Sequence, residues 1–258
     1  MPRRVRQGAL WSLLVAAATA HAGGPPEVAP GAAFGPGETT TWAVSYLGVV
    51  AGTAQVTVGL PMSVEDEWVW PVLCEAQSAP YAAVWPVSDR FVTYWSPARG
   101  RSVGFDFFAD ENRKRRREKA RFHGRSADMT RQKDGSAPWD VSFEVPDDVL
   151  DLAATALKAR TVPLSVGQQR AFQVFTGKKT FTLEAEVEAK ETIVTGLGPR
   201  AVYRVSATTD FSGALKAKKR VLLYFTADAR QVPVRVEADL ALGTLVADAV
   251  QYHPGRGS

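Results

Sequence analysis

The chain has 258 residues, 45% hydrophobic and 22% charged, with a formal net charge of +4 and a single cysteine, Cys74. This length and polarity suit one sizeable core, and the lone cysteine excludes an internal disulfide, cysteine zinc motifs and thioredoxin-like pairs. Residues 1–22 carry three Arg and no acid; without them 28 basic residues face 27 acidic ones, so the basic balance is no argument for nucleic-acid binding.

The amino end reads as a secretory signal peptide over residues 1–22. Arg3, Arg4 and Arg6 precede an apolar, small-residue run from Ala9 to Ala18, and Ala20, His21 and Ala22 form an A-x-A cleavage signature. The run is shorter than the roughly 20 residues a membrane-spanning helix needs. The expected location is therefore export, with the periplasm as the destination. Residues 23–36, rich in Gly, Pro and Ala, read as a flexible leader. A single domain is expected over 37–253, with a short tail at 254–258.

Within that domain, strand signals follow one another. Trp42, Val44 and Tyr46 share a face, and the glycines of Leu47 to Gly52 fit a bend or bulge. Ala54, Val56, Val58 and Leu60 alternate with polar residues, the period of a half-buried strand. Trp68 to Ala76, Val87 to Trp95 and Arg101 to Phe108 are further strands. Asn112 to Arg125 is strongly basic; it reads as charge protecting strand edges or as a site for an anionic lipid, glycan or phosphate. Pro146 to Arg160 predicts the one helix: Val149, Leu152, Ala153, Ala156 and Leu157 repeat at helical spacing, with Asp147 or Asp148 as cap. Its single apolar stripe predicts packing on a sheet or plugging of a barrel mouth.

Beyond it, Phe172 to Phe175 and Thr180 to Ala189 flank a turn at Gly177 and form a hairpin. Ala201 to Thr208 is another strand. The most regular stretch is Val221 to Gly243. Val232, Val234, Val236, Ala238 and Leu240 alternate with Pro233, Arg235, Glu237 and Asp239, after a strand at Val221 to Phe225 and a turn around Asp228. Pro233 has no N–H for a ladder and belongs at an edge or a bulge. Thr244 to Tyr252 closes the sheet. Roughly a dozen strands and one helix predict an all-β, single-domain, antiparallel barrel-like or strongly curved sheet.

The signatures run in an order that resembles a family of exported bacterial proteins catalogued as domain of unknown function 3108. They are Pro36 to Glu38, Tyr46 to Gly52, Val87 to Phe91, Asp147 to Asp151, Gly177 to Lys179, Phe225 to Asp228, Arg230 to Arg235, and Leu242 with Gly243. The resemblance covers nearly the whole exported chain and implies an envelope location and a β-rich fold. It brings no reaction and no catalytic residues. The helix here reads Leu152 to Leu157 where the family pattern is richer in Tyr.

Catalytic motifs are missing from the sequence: there is no G-x-S-x-G elbow, no H-E-x-x-H, no P-loop and no dinucleotide fingerprint. His123 and His253 are the only histidines after residue 22. No cofactor, metal, nucleic acid or later transmembrane helix is expected. Asp89, Asp151 and Asp228 read as turn, cap or ion-pair residues rather than as a glycosidase pair, and Cys74 as a small core residue. The aromatic run Tyr81, Trp85, Phe91, Tyr94 and Trp95, with Asp89, is the candidate wall of an apolar or amphipathic ligand site. Arg113, Arg115, Arg116, Arg117 and Arg121 are the candidate basic patch. The expectation is a non-catalytic envelope protein that binds a lipid-like ligand or a partner. The alternatives are a glycan hydrolase using paired carboxylates and a structural or assembly factor.

Overall fold

The computed structural model describes residue 25 and residues 27–82, 86–209, 220–240 and 243–256. The expected signal peptide, Trp85 and Leu242 lie outside them. The first half contains β1 (Thr39–Tyr46), β2 (Val49–Val58), β3 (Met62–Val64), β4 (Glu67–Ser78), β5 (Val87–Ser96), β6 (Arg101–Glu111), β7 (Lys114–His123), β8 (Ser126–Lys133) and β9 (Trp139–Glu144). After α1 (Leu152–Arg160) come β10 (Gln169–Phe175), β11 (Thr180–Thr195), β12 (Gly198–Thr209), β13 (Val221–Thr226), β14 (Pro233–Leu240) and β15 (Gly243–His253).

These strands form one antiparallel sheet in the order β10-β11-β12-β13-β14-β15-β1-β2-β4-β5-β6-β7-β8-β9, with β3 beside β4. Two meanders are thus joined where the first and last strands pair, Thr39 opposite His253 and Tyr46 opposite Leu245. The expected all-β, barrel-like architecture is what the chain adopts, although strand pairing does not close it: β9 and β10 are the two ends of the sheet. The chain between them spans the gap. Val145 donates to the Arg125 carbonyl at 2.9 Å, Leu150 donates to the Gln173 carbonyl at 2.9 Å, and Phe175 donates to the Leu150 carbonyl at 2.8 Å.

That bridge explains why the helix is shorter than its sequence pattern. Leu150 lies parallel to Val174 in an isolated bridge, so its backbone groups are already committed to a strand. Helix formation starts after it, and the cap is Asp151 rather than Asp147 or Asp148, its carboxylate accepting from the Ala154 N–H at 2.8 Å. Leu152 is accordingly 55% exposed, and the buried face runs through Ala154, Thr155, Leu157 and Arg160. The segment as a whole plugs the sheet. Val145 and Val149 join a phenylalanine-rich cluster with Phe105, Phe122 and Phe175, while Leu150, Ala154 and Leu157 join Trp70, Val72 and Trp95.

Other expectations also shift. Leu60 lies past the end of β2 and is exposed. β3, β8 and β9 were not legible as separate strands, because their polar residues blur the alternation. Ala51 is the bulge residue of β2, skipped where Val44 pairs Gly52 and Ser45 pairs Val50. Pro233 sits at a register break opposite Phe225, the bulge rather than the edge, since β14 lies between β13 and β15. The stretch read as a flexible leader packs down from Val28 onward: Val28 and Ala33 rest on the core and Phe34 is 3% exposed.

Because every neighbour is antiparallel, successive turns alternate between two ends. Tyr46 opposite Val49, Ala76 opposite Asp89 and Glu111 opposite Lys114 place three connections at one end, here the tip end. Ser96 opposite Arg101 and His123 opposite Ser126 place others at the far end, together with the 227–232 turn. That far end holds a cavity.

Candidate functional site

A hollow of about 900 Å³ opens at the cavity end. Remote pieces of chain line it: residues 27–34, Trp70 on β4, β5 with the turn that follows it, the helix exit from Arg160 to Leu164, Tyr203 on β12, and the β13–β14 turn. Trp70 on β4 and Trp95 on β5 are directly opposed in the ladder. Phe34 meets both edge-on, with ring centroids 6.0 Å from Trp70 and 5.5 Å from Trp95. This T-shaped packing brings the positive ring edges to the negative ring faces.

Behind the aromatic wall lies a buried ion pair. The Arg160 guanidinium donates to the Glu38 carboxylate at 2.6 and 3.1 Å, to the Ala33 carbonyl at 2.6 Å and to the Arg230 carbonyl at 3.1 Å. Its carbon centre also stands 5.1 Å from the Phe34 ring. Tyr252 adds a hydroxyl donor to Glu38 at 3.3 Å. One side chain thereby fastens the amino-terminal segment, the helix exit and the β13–β14 turn together. Gln231 fixes the remaining wall: its amide donates to the carbonyls of Arg160 and Val162, both at 2.8 Å, and its carbonyl accepts from the Leu164 N–H at 2.8 Å. Asp228 shapes the same turn by accepting from the Thr226 hydroxyl and from the N–H groups of Arg230 and Gln231. The polar groups at this end are thus held by each other. Trp70 is different: it lines the hollow, is 5% exposed, and its indole Nε1 is buried with no partner among the described residues. Such a site accepts an apolar body.

Of the described residues expected to line a ligand site, only Trp95 reaches this cavity. Phe91 faces the interior and stacks on Phe105 at 5.1 Å as part of the core. Tyr94 faces the other way, donating to Asp106 at 3.1 Å beneath the Arg121 guanidinium. Asp89 borders a separate polar hollow on the sheet. Tyr81 is exposed at the tip end, and Trp85 lies outside the described residues. Alternation turns Tyr94 away, whereas Phe91 and Asp89 share the parity of Trp95 and lie farther along β5 toward the tip end. Sequence reading passed over Phe34 because of its Gly- and Ala-rich surroundings. It passed over Trp70, Arg160 and Gln231 because their partners are remote in sequence. Direct opposition of Trp70 and Trp95 was the one signal that could have found the wall.

The basic run divides in the same alternating way. Arg115 pairs with Asp110 at 3.0 Å and Arg121 with Asp106 at 2.8 Å, Arg117 lies over the Phe108 ring, and Arg113 occupies the exposed β6–β7 turn. Arg116 lies over Phe107 on the opposite face and approaches the buried Glu118 at 3.8 Å, with Arg131 at 3.6 Å from the same carboxylate.

The carboxylates singled out in the sequence, Asp89, Asp151 and Asp228, each accept hydrogen bonds. Asp151 is fully buried and accepts from the Thr93 hydroxyl at 2.5 Å as well as from the Ala154 N–H. Burial pushes its carboxyl above the ordinary range, against the lowering effect of these hydrogen bonds. Burial, then the neighbouring Glu111 charge, raises Asp89, and the two carboxyl groups touch through a hydrogen bond. Burial, helped by the Asp151 charge, pushes the Cys74 thiol up to about 12, which keeps it protonated and a poor nucleophile. Among the described residues no group of three or more His, Cys, Asp or Glu could hold a metal ion, and no helix is long and apolar enough to cross a membrane.

Residues 41–250 match the model of a family described as "Protein of unknown function (DUF3108)". No curated protein matches the sequence. Among solved structures, the chain is similar to a β-barrel-like protein of the DUF1849 type from Brucella abortus, at 8% identity and a TM-score of 0.57, covering 89% of this chain and 99% of that one. A candidate lipoprotein from Parabacteroides distasonis matches with 10% identity and a TM-score of 0.35, over 88% of this chain and 100% of that one. A candidate exported protein with a YmcC-like fold from Bacteroides fragilis matches with 9% identity and a TM-score of 0.32, over 85% of this chain and 97% of that one. At such identities the likeness to the Brucella protein concerns the fold alone.

Proposed function

The chain belongs to the DUF3108 family, and for this member we propose an exported, non-catalytic binding protein of the cell envelope whose ligand is apolar or amphipathic. The observation that carries this reading is the cavity of about 900 Å³ walled by Phe34, Trp70 and Trp95. A volume of this size accommodates a drug-sized ligand or part of an acyl chain. Two features support a non-catalytic role: the carboxylates serve turns, a cap or each other, and the Cys74 thiol is held protonated. The signal-like residues 1–22 support export, with the periplasm as destination.

Native mass spectrometry of protein purified without detergent is expected to show a co-purifying apolar adduct, or an adduct after addition of fatty acid or phospholipid. Repeated bare spectra under both conditions would remove this function.

A further inference from the structure

The tip end carries a second feature, independent of the cavity. The β1–β2 turn is Leu47-Gly48, with φ of 52° and 79° at the two residues. Two-residue turns of this kind need the left-handed region at both positions and strongly favour Asn, Asp or Gly. A leucine there works against its own backbone, and this one is 64% exposed. Its side chain rests against Gly243 on one side and is open to solvent on the other. Val49 is 62% exposed beside it, and Val50, Tyr81 and Leu240 are exposed on the adjoining connections.

These residues form one continuous edge. Leu47 donates to the Thr244 carbonyl of the β14–β15 hairpin, and the Tyr81 hydroxyl donates to the Val50 carbonyl at 2.9 Å. Next along the sheet, the Asn112 N–H meets the Pro86 carbonyl at 2.8 Å, joining the β6–β7 turn to the edge. That turn repeats the anomaly. Asn112 and Arg113 have φ of 50° and 65°, so Arg113 stands where glycine is favoured. Arg113, Lys114, Arg115, Arg116 and Arg117 run consecutively, against Asp110, Glu111 and Asp134 nearby. At the far end of the molecule, the β3–β4 turn has the same backbone geometry but carries Glu65 and Asp66.

We propose that the tip end docks on an anionic lipid bilayer. Leu47, Val49 and Tyr81 enter the headgroup boundary while Arg113 and Lys114 meet the phosphates. Apolar side chains on rigid hairpin tips bury surface at the interface, and each nearby cation adds attraction to negative lipid. A protein partner would also cover an apolar edge. The basic turn set beside it favours an anionic sheet as occupant, and docking by this end leaves the cavity facing away.

The test is flotation of the full chain with vesicles of phosphatidylcholine alone or of an equal mixture with phosphatidylglycerol. Leu47→Asn with Val49→Thr, Arg113→Gln with Lys114→Gln, and a control Leu60→Thr at the cavity end are compared with the parent. Residues 1–22 are common to all, so differences read the tip alone. The parent is expected to float with the anionic vesicles and to be released by salt. The Leu47 and Val49 pair should weaken binding roughly tenfold to a hundredfold, the Arg113 and Lys114 pair roughly fivefold per charge, and Leu60→Thr not at all. Asn at position 47 suits the turn, so a folding defect does not obscure the result. Equal flotation of parent and tip variants, no preference for anionic lipid, or cross-linking of the tip to a protein while vesicles stay bare would overturn the proposal. The cavity adduct, read by mass, stands or falls separately.

Discussion

The two ends of the sheet keep their shape by different means. At the cavity end, the amino-terminal segment, the helix exit and the β13–β14 turn meet through buried polar contacts between remote residues; Arg160 and Glu38 are 122 positions apart. At the tip end the β1–β2 and β6–β7 connections are two-residue turns, closed by the strands they join. An end assembled from remote pieces can enclose a hollow, but it depends on each contact. An end made of local turns keeps its path whatever the exposed side chain, which leaves that side chain available to a surface.

The strongest way to break this contrast is Arg160→Ala. Leaving Glu38 buried without its cation is expected to cost about 3–5 kcal/mol, read as a fall in the urea midpoint. If the loss is below about 1 kcal/mol, the ion pair does not hold the cavity end together.

Asp151→Ala should come next. It removes the cap of α1 and strands the Thr93 hydroxyl and the Ala154 N–H inside the plug, for about 2–3 kcal/mol. Asp151→Asn sharpens the point through pH. The folded carboxyl titrates above its unfolded value, so between the two the native state holds the extra proton. Its stabilising contribution is complete below the unfolded value near 3.9 and is lost as pH rises through the folded value. A parent-minus-Asn difference in stability that is flat from acid to neutral pH would contradict this.

Trp70→Phe separates stability from binding at the cavity end. The indole N–H has no partner among the described residues, so the cost in stability is one of packing alone, about 1–2 kcal/mol, while retention of an apolar ligand should fall roughly twofold to fivefold with the lost wall area, measured by titration of the remaining tryptophan fluorescence. The smallest effect is expected at the tips: Leu47→Asn should leave stability unchanged or raise it by a few tenths of a kcal/mol, seen as an unchanged or higher melting temperature.

The alternation of Val232, Val234, Val236 and Ala238 was enough to place β14, because a period of two is a local property of an extended chain. The turn at Gly177 and the bulge at Pro233 were legible for the same reason: glycine freedom and a missing N–H act where they stand. The helix was legible in kind but not in extent. Its start depends on Leu150 pairing with Val174, which no local pattern announces. The aromatic site was only partly legible. Composition drew attention to β5, yet alternation turned Tyr94 away from Phe91 and Trp95, and the other walls come from residues 27–34, β4 and the β13–β14 turn.

Local chemistry thus determined that this chain is an antiparallel, β-rich fold with one short helix. Side-chain period, turn residues and caps express themselves over a few residues, and the sequence displays them directly. Tertiary structure alone decided that β1 pairs with β15, that residues 145–151 fill the gap between β9 and β10, and that Arg160 gathers Glu38, Ala33 and Arg230 around a hollow. Those arrangements follow from burying apolar surface while satisfying every charge and carbonyl that goes inside with it. That condition joins residues by their distance in space, on which the order of the chain is silent.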